Sequence, residues 1–185
     1  MERTIFCRLS ELQIAMYQQL CMELKPLEAR SKAEKLELQE RGFEPPSGQT
    51  LPLITLLKKL CNTPDLLRSI TRKDGSESLP ASVARLFPKS FKPNYCHPEH
   101  SGKLQFLDQL LQVICKKSPD RIVIVSNYTQ TLDVLATLCK LRGIFFFQLD
   151  GSTVVAKRQQ LVDLFNLPTA KERTTLFGGP RNLLP

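Results

Sequence analysis

Three polar clusters in this sequence have residue types suited to chemistry. Ser126-Asn127-Tyr128-Thr129 follows the β-branched run Ile122 to Val125 and precedes Leu132, Leu135 and Leu138 at helical spacing. It therefore falls where a strand ends and a helix begins. Ligands of open α/β sheets bind at that edge, and the free N–H groups of a helix start suit a phosphate. The same side chains also cap helices, so both roles are open. Asp150-Gly151-Ser152-Thr153 repeats the arrangement after a second apolar run, Ile144 to Leu149. Gly151 can take a positive φ there, and the hydroxyls of Ser152 and Thr153 can cap a helix or touch phosphate. Arg158 either anchors this loop through the acid or meets a backbone phosphate. Lys58 and Lys59 form either a solvated helix face or a further phosphate contact.

The third cluster, Cys96-His97 with His100, offers three possible metal ligands but no distant partner pair. No metal site is expected from it. Asp120, Asp133 and Asp163 have no His or Cys placed to join them, so no nucleophile, base and orienter can be assembled. No catalytic residue is assigned.

Composition narrows the partners. There are 26 Lys and Arg against 18 Asp and Glu, a formal charge of +8. That surplus favours a polyanion such as nucleic acid, although simple solubility explains it as well. The six cysteines show no CxxC and no regular spacing, which fits reduced thiols. No apolar stretch has the length of a signal-peptide core or a membrane span.

Positioning elements follow from periodicity. Ser10 and Gln13 form a capping box ahead of Leu12, Ala15, Met16, Leu20 and Leu24. A charge-rich segment, 27–41, reads as an exposed helix or arm. Leu53, Leu56, Leu57 and Leu60 mark a second helix that ends near Thr63-Pro64, with Lys58 and Lys59 outward. Residues 71–100 are rich in Pro and read as an irregular connection with a short helix around Ala81 to Phe87. From Ser101 helices alternate with apolar strands: a helix capped by Ser101, a strand at 122–125 covered on both faces, a helix from Thr129 to Arg142 closed by Gly143, a strand at 144–149, and a helix near 156–166. This alternation predicts an α/β unit with a parallel sheet. Residues 169–185 offer no convincing element, at best Thr174 to Phe177 as a weak strand, so the sheet is expected to be left incomplete.

Four segments in this order, LKKLCNTP at 57–64, SGKL at 101–104, RIVIVSNYTQTLD at 121–133, and LDGST with RQQLVDLFN at 149–166, resemble the second half of Swi/Snf-family motor proteins. SNYTQTLD followed by RQQLVD and FN is similar to the recombination-repair branch, the Rad-fifty-four subgroup, and ERTIFCRLSELQ leans towards its B paralogue. The resemblance covers roughly residues 2–167. It implies a helical insertion region at 1–70, a linker at 71–100, a truncated RecA-like second motor lobe at 101–168 and a divergent tail at 169–185. It further implies duplex DNA and recombinase filament proteins as partners, and a nuclear location.

In such motors ATP and magnesium sit between two lobes, with duplex DNA across the cleft. The chain has no GxxxxGK[ST] loop and no acidic magnesium box. The resemblance therefore implies no bound cofactor, no ATPase activity and at most weak DNA-backbone binding for this chain. Thr63 stands where the family usually has His, and the sequence after Asn166 departs from the family pattern. The alternative is a helical protein-interaction adaptor without a DNA role.

Overall fold

The computed structural model describes residues 2–22, 50–68, 79–93, 95–117, 120–167 and 174–178. They fall into two compact units, one built from residues up to 93 together with 97–104, the other from 94–96 together with 105–185. The charge-rich segment 27–41 and Leu24 lie outside the described residues.

In the first unit the capping box forms as expected. Ser10 N–H donates to Gln13 Oε1 at 3.0 Å, and Gln13 N–H donates to Ser10 Oγ at 3.1 Å. Helix α1 starts at residue 11 and is described to residue 22. Its Met16 and Leu20 are buried, and Leu12 packs beside them. Ala15, expected in the same stripe, is exposed. Gln13 is buried instead, because its amide reaches two other segments. Its Nε2 donates to Leu60 O at 2.7 Å, and its Oε1 also accepts from Gly102 N–H at 3.2 Å.

Helix α2 (Thr50–Asn62) adds Leu60 to the core, with Leu56 and Leu57 against it. Helix α3 (Asp65–Arg68) contributes Leu67, and helix α4 (Ala81–Ala84) contributes Val83. Thr63, the departure from the family pattern, is buried and donates to Asp65 Oδ2 at 2.8 Å. Asp65 Oδ1 in turn receives His97 Nδ1 at 2.8 Å, and Lys92 N–H donates to His97 Nε2 at 3.4 Å. Both ring nitrogens of His97 are thus spent within the protein. Among the described residues no group of three His, Cys, Asp or Glu is placed to hold a metal ion.

Ser101 caps helix α5 (Gly102–Lys117) as expected: Leu104 N–H donates to its Oγ at 3.3 Å. The same hydroxyl donates to Asn62 O at 2.6 Å, tying the end of α2 to the start of α5.

The second unit is an α/β layer with strands β1 (Ile122–Val125), β2 (Phe145–Leu149) and β3 (Thr174–Gly178). Helix α6 (Thr129–Arg142) joins β1 to β2, and helix α7 (Val155–Asn166) follows β2. All pairings are parallel, in the order β1-β3-β2. Gly143 closes α6 at φ 64°, with Gly143 N–H to Lys140 O at 3.2 Å and Ile144 N–H to Cys139 O at 2.9 Å. This left-handed end satisfies two terminal carbonyls.

Two expectations are overturned here. The region after residue 168 does contain a regular element. β3 enters between β1 and β2, so the strand expected to be weak holds the other two together. TTLFG reads poorly as a strand because its partners lie about 30 and 50 residues away, and pairing outweighs local propensity. Second, β1 is not covered on both faces. Val123 and Val125 are 50% and 52% exposed, because α7 packs on β2 and β3 and leaves this face of β1 open. α7 covers Phe147 and Leu149 through Leu161, Val162 and Phe165. Its far end is held by Arg121, which donates to Leu167 O and lies 5.9 Å from the Phe165 ring centre.

All six cysteines are free thiols. Burial, with Cys115 nearby adding to it, pushes the Cys139 thiol up to about 12, so it stays protonated and unreactive.

Helices α5 and α6 are joined by a forked ion pair. Arg142 Nε and Nη2 donate to Asp108 Oδ1 and Oδ2 at 2.7 and 2.6 Å. Asp108 is buried, while the Arg142 side chain is partly exposed. The Arg142 guanidinium holds the Asp108 carboxyl below the usual range, burial opposes this, and Gln112 adds to the lowering. A carboxylate depressed in the fold stabilises it above the unfolded value, and that contribution is lost as pH falls through the folded value. Arg142→Ala is expected to cost about 1–2 kcal/mol at neutral pH. The gap to the parent protein should narrow below about pH 4. Urea unfolding at pH 7 and pH 3 checks this; a pH-independent gap would contradict the ion-pair account.

Candidate nucleic-acid interface

The two loops singled out in the sequence follow strands that run side by side with β3, so both lie at the C-terminal end of one parallel sheet. The ladder extends one bond past β1: Ser126 N–H donates to Gly178 O at 3.0 Å. Tyr128 N–H donates to Ser126 Oγ at 3.2 Å, and that hydroxyl lies 3.4 Å from Tyr128 O. Ser126 is therefore occupied in shaping the turn. Tyr128 is the N-cap of α6 and makes no side-chain capping bond. Asn127 and Thr129 are exposed. Among the described residues neither side chain makes a hydrogen bond, so both keep donors that can face a ligand.

The second loop is closed on itself. Ser152 N–H donates to Asp150 Oδ1 at 2.9 Å, and Ser152 Oγ donates to the same oxygen at 2.5 Å. Asp150 N–H donates to Thr153 Oγ1 at 3.2 Å, and Thr153 N–H donates to Asp150 O at 3.2 Å. These contacts hold the Asp150 carboxyl below the usual carboxylate range, the Ser152 hydroxyl contributing most; burial opposes it, and Gln148, the Ser152 N–H and the Thr153 hydroxyl assist. Arg158 donates through Nε to Thr153 O at 3.0 Å and through Nη2 to Asp150 O at 3.4 Å. It anchors the loop as one of the two sequence readings had it, but through carbonyls rather than the acid. Gly151 is exposed, with no atom within 4 Å of a built Cβ, and among the described glycines only Gly143 has positive φ. The left-handed turn considered for Gly151 is not used.

Sequence reasoning missed Gln148. Its Nε2 donates to Asp150 Oδ2 at 3.0 Å and to Asp133 Oδ1 at 3.1 Å, linking the loop to α6. The signal was a lone amide in the apolar strand FFFQL, two residues before the acid. Asp133 and Asp163 do not meet: Asp163 accepts from Gln159 at 2.8 Å. Lys58 and Lys59 belong to the helical unit, near the end of α2. Lys58 is exposed, whereas Lys59, expected outward, is half-buried.

The Helicase conserved C-terminal domain family matches residues 102–178. The mouse DNA repair and recombination protein RAD54-like is 36% identical over 173 residues, covering 92% of this chain and 21% of that protein. Human RAD54B is 39% identical over 175 residues, covering 89% of this chain and 18% of that protein. Over about nine-tenths of its length the chain is similar to RAD54-type DNA repair and recombination proteins. It spans about a fifth of the length of these relatives. The fold agrees with Swi/Snf structures: the Sulfolobus solfataricus SWI2/SNF2 ATPase C-terminal domain aligns with TM-score 0.65 at 16% identity, over 97% of this chain and 63% of that one. The S. solfataricus SWI2/SNF2 ATPase core in complex with dsDNA aligns with TM-score 0.63 at 16% identity, over 97% of this chain and 31% of that one. The α/β unit thus has the fold of the C-terminal domain of that SWI2/SNF2 ATPase. The match runs through β3, so the departure placed after Asn166 is corrected: family resemblance persists to residue 178.

Proposed function

We propose that this chain is a non-catalytic piece of a DNA repair and recombination translocase whose sheet-edge loop lies against the backbone of duplex DNA. The observation that carries it is Asn127 and Thr129, exposed with uncommitted donors at the C-terminal edge of the sheet, within the match to the Helicase conserved C-terminal domain. One structural neighbour was solved with dsDNA, which supports the same ligand. Asn127, Tyr128, Thr129 and the turn held by Ser126 form the contact. Gly151, Ser152, Thr153 and Arg158 shape the adjacent loop, and Lys58 and Lys59, in the helical unit, are a separate phosphate contact. The helical region up to residue 70 and the lobe beginning at Ser101 serve as parts of the same motor. Recombinase filament proteins and a nuclear location fit the names of the relatives.

The chain contains no GxxxxGK[ST] loop to cradle ATP phosphates. Phosphoryl transfer depends on positioned cations and donors, so no turnover is expected, with or without DNA. Asn127→Ala is expected to weaken duplex binding about tenfold, the loss of one hydrogen bond to a charged oxygen at the low end of its range. Ser152→Ala should leave binding unchanged, because that hydroxyl already serves Asp150. Fluorescence anisotropy with a labelled duplex, beside a phosphate-release assay, tests both. DNA-stimulated hydrolysis that follows the purified protein, or equal binding by the Asn127 variant and the parent, would overturn the reading.

A further inference from the structure

Helix α5 turns one apolar side inward, as its pattern predicts, with Leu104 and Leu111 buried. It also carries a second apolar stripe that the fold leaves uncovered. Phe106, Leu110 and Val113 are 36%, 38% and 49% exposed. Their spacing of four and three residues puts them on one helix face. Lys103 and Lys117, both exposed, continue the same line at either end. Among the described residues Lys103 Nζ meets the neutral amide oxygen of Asn62, at 3.1 Å, and no carboxylate. Between them the face carries the exposed amides Gln105 and Gln109 and no acid. The one acidic residue of α5, Asp108, is buried and neutralised by Arg142. At about 1.5 Å per residue the apolar stripe is about 10 Å long and the two lysines stand about 21 Å apart.

We infer that this face docks an amphipathic helix of a partner protein, one presenting apolar residues at i, i+4 and i+7 between acidic ends. The charges select that occupant. A second copy laid antiparallel would set Lys103 against Lys117 and repel. A parallel copy would set each lysine against itself. Duplex DNA would satisfy the lysines but leave Phe106, Leu110 and Val113 against a polar backbone. An acidic amphipathic helix satisfies both features at once, in the helix-in-groove manner. The surface lies on α5, not at the sheet-edge loop, and the inference goes beyond the DNA reading.

The test uses the full 185-residue chain and two synthetic helical peptides with the same Leu face. One carries Glu at both ends, the other Lys. The Glu peptide is expected to bind at least tenfold tighter. Leu110→Gln and Val113→Thr should each weaken it fivefold or more with an unchanged circular-dichroism melt, since both positions are surface sites. Lys117→Glu should weaken the Glu peptide and strengthen the Lys peptide, an exchange that a purely structural role would not produce. Equal binding of the two peptides, or no binding of either, would overturn the inference. So would displacement of the peptide by duplex DNA, or self-association that Leu110→Gln abolishes.

Discussion

Gly102→Ala is expected to destabilise the helical unit by about 3 kcal/mol, against the usual preference of helices for Ala over Gly. A Cβ built on Gly102 falls 1.8 Å from Arg8 O and 3.0 Å from Arg8 C. Both are backbone atoms, so no rotamer change relieves the overlap. The gain from propensity is about 1 kcal/mol at best in a helix interior and smaller at a first-turn position. Moving the Arg8 segment away, or moving α5, would also stretch the bond from Gly102 N–H to Gln13 Oε1. The clash wins. Chemical denaturation, with hydrogen exchange read at 11–20 and 102–105, measures the loss. A variant as stable as the parent would show that the close approach is not required, and the glycine of SGKL would need another explanation.

Gln13→Met comes next, with an expected loss of about 3 kcal/mol. The side chain is fully buried and its two polar ends serve three backbone groups: Ser10 N–H, Gly102 N–H and Leu60 O. Met has similar length and adds no strain, so the loss reports the unpaired groups rather than a cavity. Each buried orphan costs about 1–3 kcal/mol, and Ser10, being only partly buried, regains water at the low end of that range. Gln13→Glu separates the two ends. It keeps the acceptor but turns the donor towards Leu60 O into an oxygen beside an oxygen, and it should fall at least as far as Met. If the Glu variant were fully stable, Leu60 would not depend on this amide.

The elements were legible where one chain segment carries its own reason. The Ser10–Gln13 box, the Ser101 cap, the Gly143 end of α6 and the first two strands all rest on contacts within a few residues, and each appears where expected. The failures are long-range. Gln13 looked like half of a capping box, but its amide also meets residues 47 and 89 positions away. His97 and Asp65 pair across 32 residues, and no spacing rule connects them. β3 depends on two partners for its strand form. At the candidate site the positions of both loops were readable from strand–helix junctions. Which donors remain uncommitted was not, because that depends on Asp150 gathering the hydroxyls of its own loop while Asn127 gathers none.

The most direct test of the account is the salt dependence of duplex binding by the purified chain, measured on two duplexes of unrelated sequence. A surface that meets only the backbone releases counterions and reads no bases. For about three neutralised phosphates the slope of log affinity against log salt should be about −2.7, and the same for both duplexes. A slope near zero, or a tenfold preference for one sequence, would contradict the assignment of this sheet edge to the DNA backbone.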